Sequence, residues 1–148
     1  MSADIKPLST SRLYAKVVLD FPDNPKVIEA GPMAELAYLR CTLYSKAARS
    51  NGHIHRSRAP RWLMGIPEWE AAMEALERVG LVDKCDDGWQ IPLNVWRAWN
   101  KTSDEIDADS ESKRQSAIKG NHMKYHVKAG KPSAGCALCA EEASHPAR

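Results

Sequence analysis

The fold is decided by residues 66–91, which read IPEWEAAMEALERVGLVDKCDDGWQI. Pro67 has the restricted backbone φ that suits the first turn of a helix, and Gly80 suits the left-handed position that ends one. After Gly80, two short runs flank the turn sequence Asp86-Asp87-Gly88, a pattern typical of a β-hairpin. The stretch therefore predicts a helix that leads directly into a hairpin. The helix is expected to bury the apolar residues that recur at helical spacing, namely Trp69, Ala72, Met73, Leu76 and Val79.

The residues before this stretch supply the other elements of the same domain. Residues 13–20 carry apolar side chains at alternate positions, which predicts a strand. Asn24-Pro25 predicts the start of a short helix, and Pro32 predicts the start of a longer one. A short strand at residues 53–59 and a small helix at residues 60–65 complete the series. The longer helix is expected to bury a stripe made of Leu36, Leu39, Leu43 and Ala47.

The chain has 148 residues, enough for one core-bearing domain and a smaller appendage. The order of elements predicts an α+β fold over residues 12–100, a winged helix-turn-helix with an added N-terminal strand. Residues 1–11 are polar, and we expect them to be disordered. Residues 101–118 have almost nothing to bury and predict either a polar linker helix or a disordered linker. Residues 119–148 form a separate C-terminal unit.

No apolar run approaches the roughly 20 residues that span a bilayer, and the N-terminus lacks the apolar region of a signal peptide. We therefore expect no membrane association and a cytoplasmic protein. Four cysteines in such a chain are more often metal ligands or buried thiols than disulfides. Cys41, in a predicted helix, and Cys85, on the hairpin, are expected to be buried or half-buried thiols.

All five tryptophans lie between Trp62 and Trp99. Large aromatic side chains dominate the cores of small domains, so these residues are expected to close the core. The alternative is a platform on which nucleic-acid bases stack, and it requires at least one exposed tryptophan beside basic residues.

The C-terminal unit carries the pattern of a metal site. His122 and His126 are four residues apart in a predicted helix, so both imidazoles project from one face. Cys136 and Cys139 supply two thiolates at the spacing of a zinc knuckle. Two histidines and two cysteines around a short loop match a structural, tetrahedral Zn²⁺ site. The segment also has too few apolar residues for a core of its own, so we expect a small zinc-stapled unit.

Other assignments stay open for this segment and for the remaining histidines. An unstructured tail and a redox Cys-x-x-Cys are the alternatives to the zinc site. His145 lies near the C-terminus and can replace one of the four ligands. His53 and His55 flank a basic strand, and a metal site there is a minor alternative.

Basic residues are concentrated in two regions, although the net charge is only +2. Residues 36–67 and residues 113–131 each contain six basic residues and no acidic one. Runs of this kind favour contacts with phosphates. The predicted contacts to double-stranded DNA are made by Arg56, Arg58, Arg61, Lys113, Arg114, Lys119, Lys124 and Lys128.

The predicted helix at residues 67–79 has the opposite charge on its outer face. Glu70, Glu74 and Glu77 point away from the apolar stripe, and the hairpin turn adds two aspartates. These carboxylates would meet DNA phosphates with the wrong sign. The three glutamates are therefore the predicted contact residues for a protein partner.

Several segments resemble known phage proteins. The tail segments GNHMKYHVKAG at 120–130 and CALC at 136–139 are similar to the tails of helix-turn-helix proteins from actinobacteria and their phages. The N-terminal segments resemble the winged-helix domain of phage replisome organisers and DnaD-like primosome proteins. These are LYAKVVLDF at 13–21, NPKVI at 24–28, AYL at 37–39, NGHI at 51–54, ALERVGLV at 75–82 and the region of Trp96.

The resemblance implies a phage or prophage DNA-binding protein that acts in replication initiation, as an organiser or loader, or in transcriptional control. It implies no catalytic residue. The alternative is a protein-interaction module that uses the acidic helix and wing to bind a replication protein, a host protein or a second copy of itself. An enzyme is not expected, because the sequence shows no Ser/His/Asp set and no phosphate-binding glycine loop.

Overall fold

The computed structural model describes residues 14–145. The disorder expected for residues 1–11 lies outside the described residues. The chain divides into two compact units, with the boundary between Ser103 and Asp104. Within the described part, no helix combines the length and the apolar character needed to cross a bilayer.

The first unit is an α+β fold that is mostly helical. Its three strands form one antiparallel sheet in the order β1-β3-β2, with Trp89 of β3 opposite both Ile54 of β1 and Lys84 of β2. After a 3-10 turn at Phe21–Asp23, the helices and strands of this unit come in the following order along the chain: α1 (Pro25–Ala30), α2 (Pro32–Ala48), β1 (His53–His55), α3 (Ala59–Trp62), α4 (Trp69–Arg78), β2 (Asp83–Cys85), β3 (Gly88–Gln90) and α5 (Leu93–Trp99).

The predicted helix followed by a hairpin is confirmed as α4, β2 and β3. The helix begins at Trp69, two residues later than the sequence suggests, because Glu68 takes a left-handed φ of +50°. It ends as predicted: Gly80 has a φ of +76°, and the N–H of Leu81 donates to the carbonyl of Leu76 at 2.9 Å. Local capping residues thus determine where this helix stops.

The core of the first unit lies between α2, α4 and the sheet. Ala72, Met73 and Leu76 of α4 are buried as predicted, whereas Trp69 and Val79 are half-buried. The expectation for the tryptophans holds for four of the five. Trp62 and Trp96 are buried, Trp69 and Trp89 pack edge to face at the core's border, and Trp99 remains 50% exposed.

The predicted N-terminal strand is wrong for the described residues 14–20, which belong to no sheet. The backbone of Lys16 is paired with a side chain instead of a strand. Its N–H donates to Oδ1 of Asn100 at 2.9 Å, and its carbonyl accepts from Nδ2 of Asn100 at 3.1 Å. One amide side chain satisfies the groups that a neighbouring strand would otherwise pair.

The predicted buried stripe of α2 is also wrong. Leu36 and Leu43 are exposed, Ala47 is exposed and Leu39 is half-buried. Helix α2 turns a different face inward. Most side chains on that face are small, which lets α4 approach closely. That face consists of Ala34, Ala37, Tyr38, Cys41, Thr42 and Ser45.

Truncating a leucine on each helix checks this assignment of faces. We expect Leu76→Ala in α4 to lower the free energy of unfolding by about 2–5 kcal/mol, since Leu76 is fully buried. Leu43→Ala in α2 is the control and should change it by about 0.5 kcal/mol or less, because Leu43 is 57% exposed. Urea unfolding followed by circular dichroism measures both. Equal losses would contradict the observed orientation of α2.

The second unit consists of helices with few buried side chains. A long helix, α6 (Ser103–Asn121), continues directly into a π-helical turn at His122–Val127, and α7 (Ala137–Ser144) follows a loop. The open question about residues 101–118 is therefore answered in favour of a helix, none of whose side chains is buried. The helix continues through Gly120, and Asn121 has helical φ and ψ angles without a capping hydrogen bond.

Candidate metal centre

Three of the four predicted metal ligands lie together in the second unit. The Nδ1 atom of His122 is 3.5 Å from the Sγ of Cys136 and 3.5 Å from the Sγ of Cys139. The three donor atoms all lie within 4.8 Å of one another, and His122 and Cys139 are buried. This group can bind a metal ion.

The backbone brings these residues together through the π-helical turn and the start of α7. In the turn, the N–H of Lys128 donates to the carbonyl of Met123 at 2.9 Å, five residues back. Gly130, with a φ of +63°, follows the turn and lets the chain change direction. Cys136 then precedes α7, with its N–H donated to the carbonyl of Ser133 at 3.1 Å, and Cys139 lies in the first turn of α7.

A carboxylate that the sequence analysis missed orients the histidine. The Oε1 of Glu142 lies 3.0 Å from Nε2 of His122. Because Nε2 faces Glu142, Nδ1 is directed at the two sulfur atoms. A carboxylate on the far nitrogen of an imidazole is the common arrangement around metal-ligating histidines. The one feature of the sequence that could have indicated this role of Glu142 is its spacing. Glu142 follows Cys139 by three residues and so lies on the same face of the helix.

The same contacts alter the pKa values of the donors. The hydrogen bond with Glu142, followed by the contact with Cys136, raises the pKa of His122 above its usual value. The backbone N–H of Cys139 points at the sulfur of Cys136 and lowers the pKa of that thiol, and the contact with His122 acts in the same direction. A backbone hydrogen bond from Ser133 lowers the pKa of Cys139, but burial and the contact with Cys136 outweigh it, so that this pKa is raised. Of the two thiols, Cys136 is therefore the one whose surroundings favour the deprotonated form that binds a divalent cation.

The spacing of the donors fits a tetrahedral zinc ion. Bonds of about 2.0 Å to nitrogen and about 2.3 Å to sulfur, meeting at a tetrahedral angle, place the two donors about 3.5 Å apart. The two distances from Nδ1 of His122 to the sulfur atoms have this length, 3.5 Å each. The residues present therefore fit the metal that their chemistry suggests.

The fourth predicted ligand, His126, lies beside this group but is not part of it. Its ring stacks on that of His122, with centroids 5.8 Å apart and planes at 18°. Its Nδ1 lies 3.0 Å from the carbonyl oxygen of Lys131, which can only accept, so Nδ1 carries the hydrogen. In the neutral ring, the lone pair for a metal is then on Nε2.

His145, Cys41 and Cys85 lie outside this ligand group. His145 contacts Ser144 and the carbonyl of Glu141 and is not in the ligand group. All four thiols are free. Cys41 is fully buried, as expected, and burial raises its pKa to about 12, whereas Cys85 is half-buried on β2.

The basic residues predicted to contact DNA are all exposed, but one of them, Arg114, already forms an ion pair. Arg56 and Arg58 lie on the connection from β1 to α3, and Arg61 lies in α3. Lys113, Lys119, Lys124 and Lys128 lie on the second unit. Arg114 is engaged by its own helix: Nε and Nη2 donate to the carboxylate of Glu111 at 3.0 and 2.9 Å. This pairing, with a further bond from Gln115, lowers the pKa of Glu111 to about 2.

The acidic residues predicted to bind a protein lie on α4. Glu70 and Glu74 are exposed, and Glu77 is half-buried. None of the three has an ion pair among residues 14–145.

Comparison with known proteins adds no relative to this description. No family model, no curated protein and no solved structure matches the chain.

Proposed function

We propose that this chain is a DNA-binding protein built from a winged helix-turn-helix domain and a zinc-stapled tail. The element order α2, β1, α3, α4, β2, β3 supports the domain type. In that order, α3 and α4 form the helix-turn-helix pair and the β2–β3 hairpin is the wing. The pairing of β1 with the hairpin through β3 supports it as well.

The observation that carries the DNA-binding proposal is the group of three arginines from the end of β1 through α3. Arg56, Arg58 and Arg61 are all exposed, and within the described part of the chain none of them is paired with a carboxylate. Exposed guanidinium groups without a carboxylate partner are available for phosphate oxygens. Lys113, Lys119, Lys124 and Lys128 of the second unit supply further cations, whereas Arg114 would first have to leave Glu111.

A titration of labelled duplex DNA with the full chain tests the proposal. Binding should be strong at low salt and weaken steeply as salt rises, with a slope set by the number of neutralised phosphates. A protein that fails to bind duplex DNA even at low salt would refute it. The resemblance to phage replisome organisers favours replication initiation or transcriptional control as the setting, in the cytosol of a bacterial host.

The tail binds Zn²⁺ as a structural ion in this proposal. His122, Cys136 and Cys139 hold it, and Nε2 of His126 is the fourth ligand, since its other nitrogen is already committed to Lys131. The ion supplies the cross-link between the π-helical turn and α7 that an apolar core supplies in larger units.

A protein-interaction role is the second candidate, favoured by the unpaired carboxylates on α4. Replacing Glu70, Glu74 and Glu77 by lysine should lower capture of a bound protein by about tenfold or more, since like charges replace complementary ones. Quantitative mass spectrometry of proteins retained from a bacterial host extract measures this. The matched control carries the same reversal at the exposed residues Asp20, Asp23 and Glu29. Equal recovery with both variants would count against this role.

A further inference from the structure

A second group of ligand-type side chains lies in the first unit, where β1 meets the hairpin. The Nε2 of His53 is 2.9 Å from Oδ1 of Asp87, and the Sγ of Cys85 is 3.5 Å from the same oxygen. All three donor atoms lie within 4.8 Å of one another. An imidazole, a thiol and a carboxylate thus meet at one point, although His53 and Asp87 are 34 residues apart in the chain.

The register of the sheet produces this convergence. On the middle strand, Gly88 is paired with His55 of β1 on one side and with Cys85 of β2 on the other. The three residues form one row across the sheet, so His55 and Cys85 project from the same face. His53 lies two residues from His55 and projects from that face too. The turn before β3 then adds Asp87.

Gly88 keeps the centre of that row free of a side chain. A Cβ at this position would collide with the carbonyl oxygen of Ile54, so the packing of β3 against β1 requires glycine. The hairpin turn is also tied to β1, since the N–H of Arg56 donates to the carbonyl of Asp87 at 2.7 Å. Ligands from the two outer strands can therefore reach one ion above the middle strand.

A histidine–aspartate ion pair explains only part of this arrangement. It accounts for His53 and Asp87, but not for the sulfur of Cys85 at the same carboxylate oxygen. His55 adds a fourth group, with Nε2 4.0 Å from Oδ2 of Asp87 and with Nδ1 held by Ser57. Two imidazoles and a thiol, all of the kinds that bind transition metals, thus surround one carboxylate.

We propose that His53, Cys85 and Asp87 bind a divalent transition-metal ion at the base of the hairpin, separately from the site in the tail. A set of nitrogen, sulfur and oxygen donors suits borderline cations such as Zn²⁺ and Co²⁺, whereas Mg²⁺ and Ca²⁺ require oxygen ligands throughout. The ion cross-links β1 to the hairpin and leaves one coordination position for His55 or solvent. Cys85, which the sequence predicts to be a buried or half-buried thiol, is a ligand in this site. The site does not depend on DNA binding.

Titration of the full chain with Co²⁺ tests this site once the tail ligands are removed. In the Cys136→Ser, Cys139→Ser background, we expect saturable binding of one Co²⁺ per chain with a thiolate-to-cobalt charge-transfer band. Adding Cys85→Ser should abolish the band while the far-ultraviolet circular dichroism spectrum remains that of the Cys136→Ser, Cys139→Ser background. Absence of the band in the starting background, or its survival in the Cys85→Ser variant, would overturn the proposal.

Neighbouring aspartates provide a matched control for the carboxylate. Asp87→Asn in the same background should weaken Co²⁺ binding by about tenfold or more, as should His53→Ala. Asp86→Asn removes the same charge from the adjacent residue of the turn and should leave the affinity unchanged. Indistinguishable affinities for the Asp86 and Asp87 variants would show that the cation is attracted only by charge, and would refute the site.

Discussion

Replacing Cys136 and Cys139 together by serine is expected to remove one metal ion per chain and to unfold the end of the second unit. Among the described residues of that unit, His122 and Cys139 are the only buried side chains, and both belong to the candidate ligand group. Without a metal, nothing else there excludes water. Metal binding by small structural zinc sites contributes about 10–16 kcal/mol near neutral pH, which is then the main free energy of folding.

Elemental analysis and limited proteolysis measure the two parts of this result. Metal content should fall by one equivalent, and new cleavage sites should open between residues 122 and 145. Cys41→Ala is the control, because it removes a thiol that is buried in the core of the first unit and should leave the metal content unchanged. Full metal content together with a protected tail in the double variant would contradict the zinc site.

Replacing Arg56, Arg58 and Arg61 together by glutamine is expected to give the largest loss of DNA affinity. If all three contact phosphates, the slope of log affinity against log salt should fall in magnitude by about 3, since each contact contributes about 0.9. The same relation predicts a loss on the order of 100-fold at about 0.1 M salt. Fluorescence anisotropy with a labelled duplex, repeated across salt concentrations, measures both quantities.

A control with the same loss of charge separates contact from net charge. Lys26, Arg78 and Arg97 are exposed residues of the first unit, and changing these three to glutamine removes three positive charges elsewhere. This variant should keep nearly the original slope. An equal effect of the two triple variants would mean that Arg56, Arg58 and Arg61 do not form the contact surface.

The candidate metal ligands of the tail illustrate what local sequence can predict. Two cysteines three residues apart and two histidines four residues apart are short-range patterns. The structure brings three of these four side chains together. His126 stacks on His122 beside this group, and its Nδ1 is bound to the carbonyl of Lys131. Glu142 was missed because a carboxylate on an exposed helix has no distinctive pattern until its partner is known.

The sequence alone determined the elements whose ends depend on residues within a few positions of each other. The stop at Gly80, the hairpin turn at Gly88 and the start of α1 at Asn24 are of this kind, because capping and turn formation are local. The α+β class followed from these elements.

Tertiary structure alone decided which faces are buried and which distant side chains meet. The periodicity of α2 allowed an outward leucine face, and the close approach of α4 selected the small-residue face containing Ala37 and Cys41. His53, Cys85 and Asp87 meet only because β1 pairs with β3 in one register, and a shift of one residue would turn His53 to the other face. Burial and register depend on residues far apart in the chain, and a local pattern does not contain them.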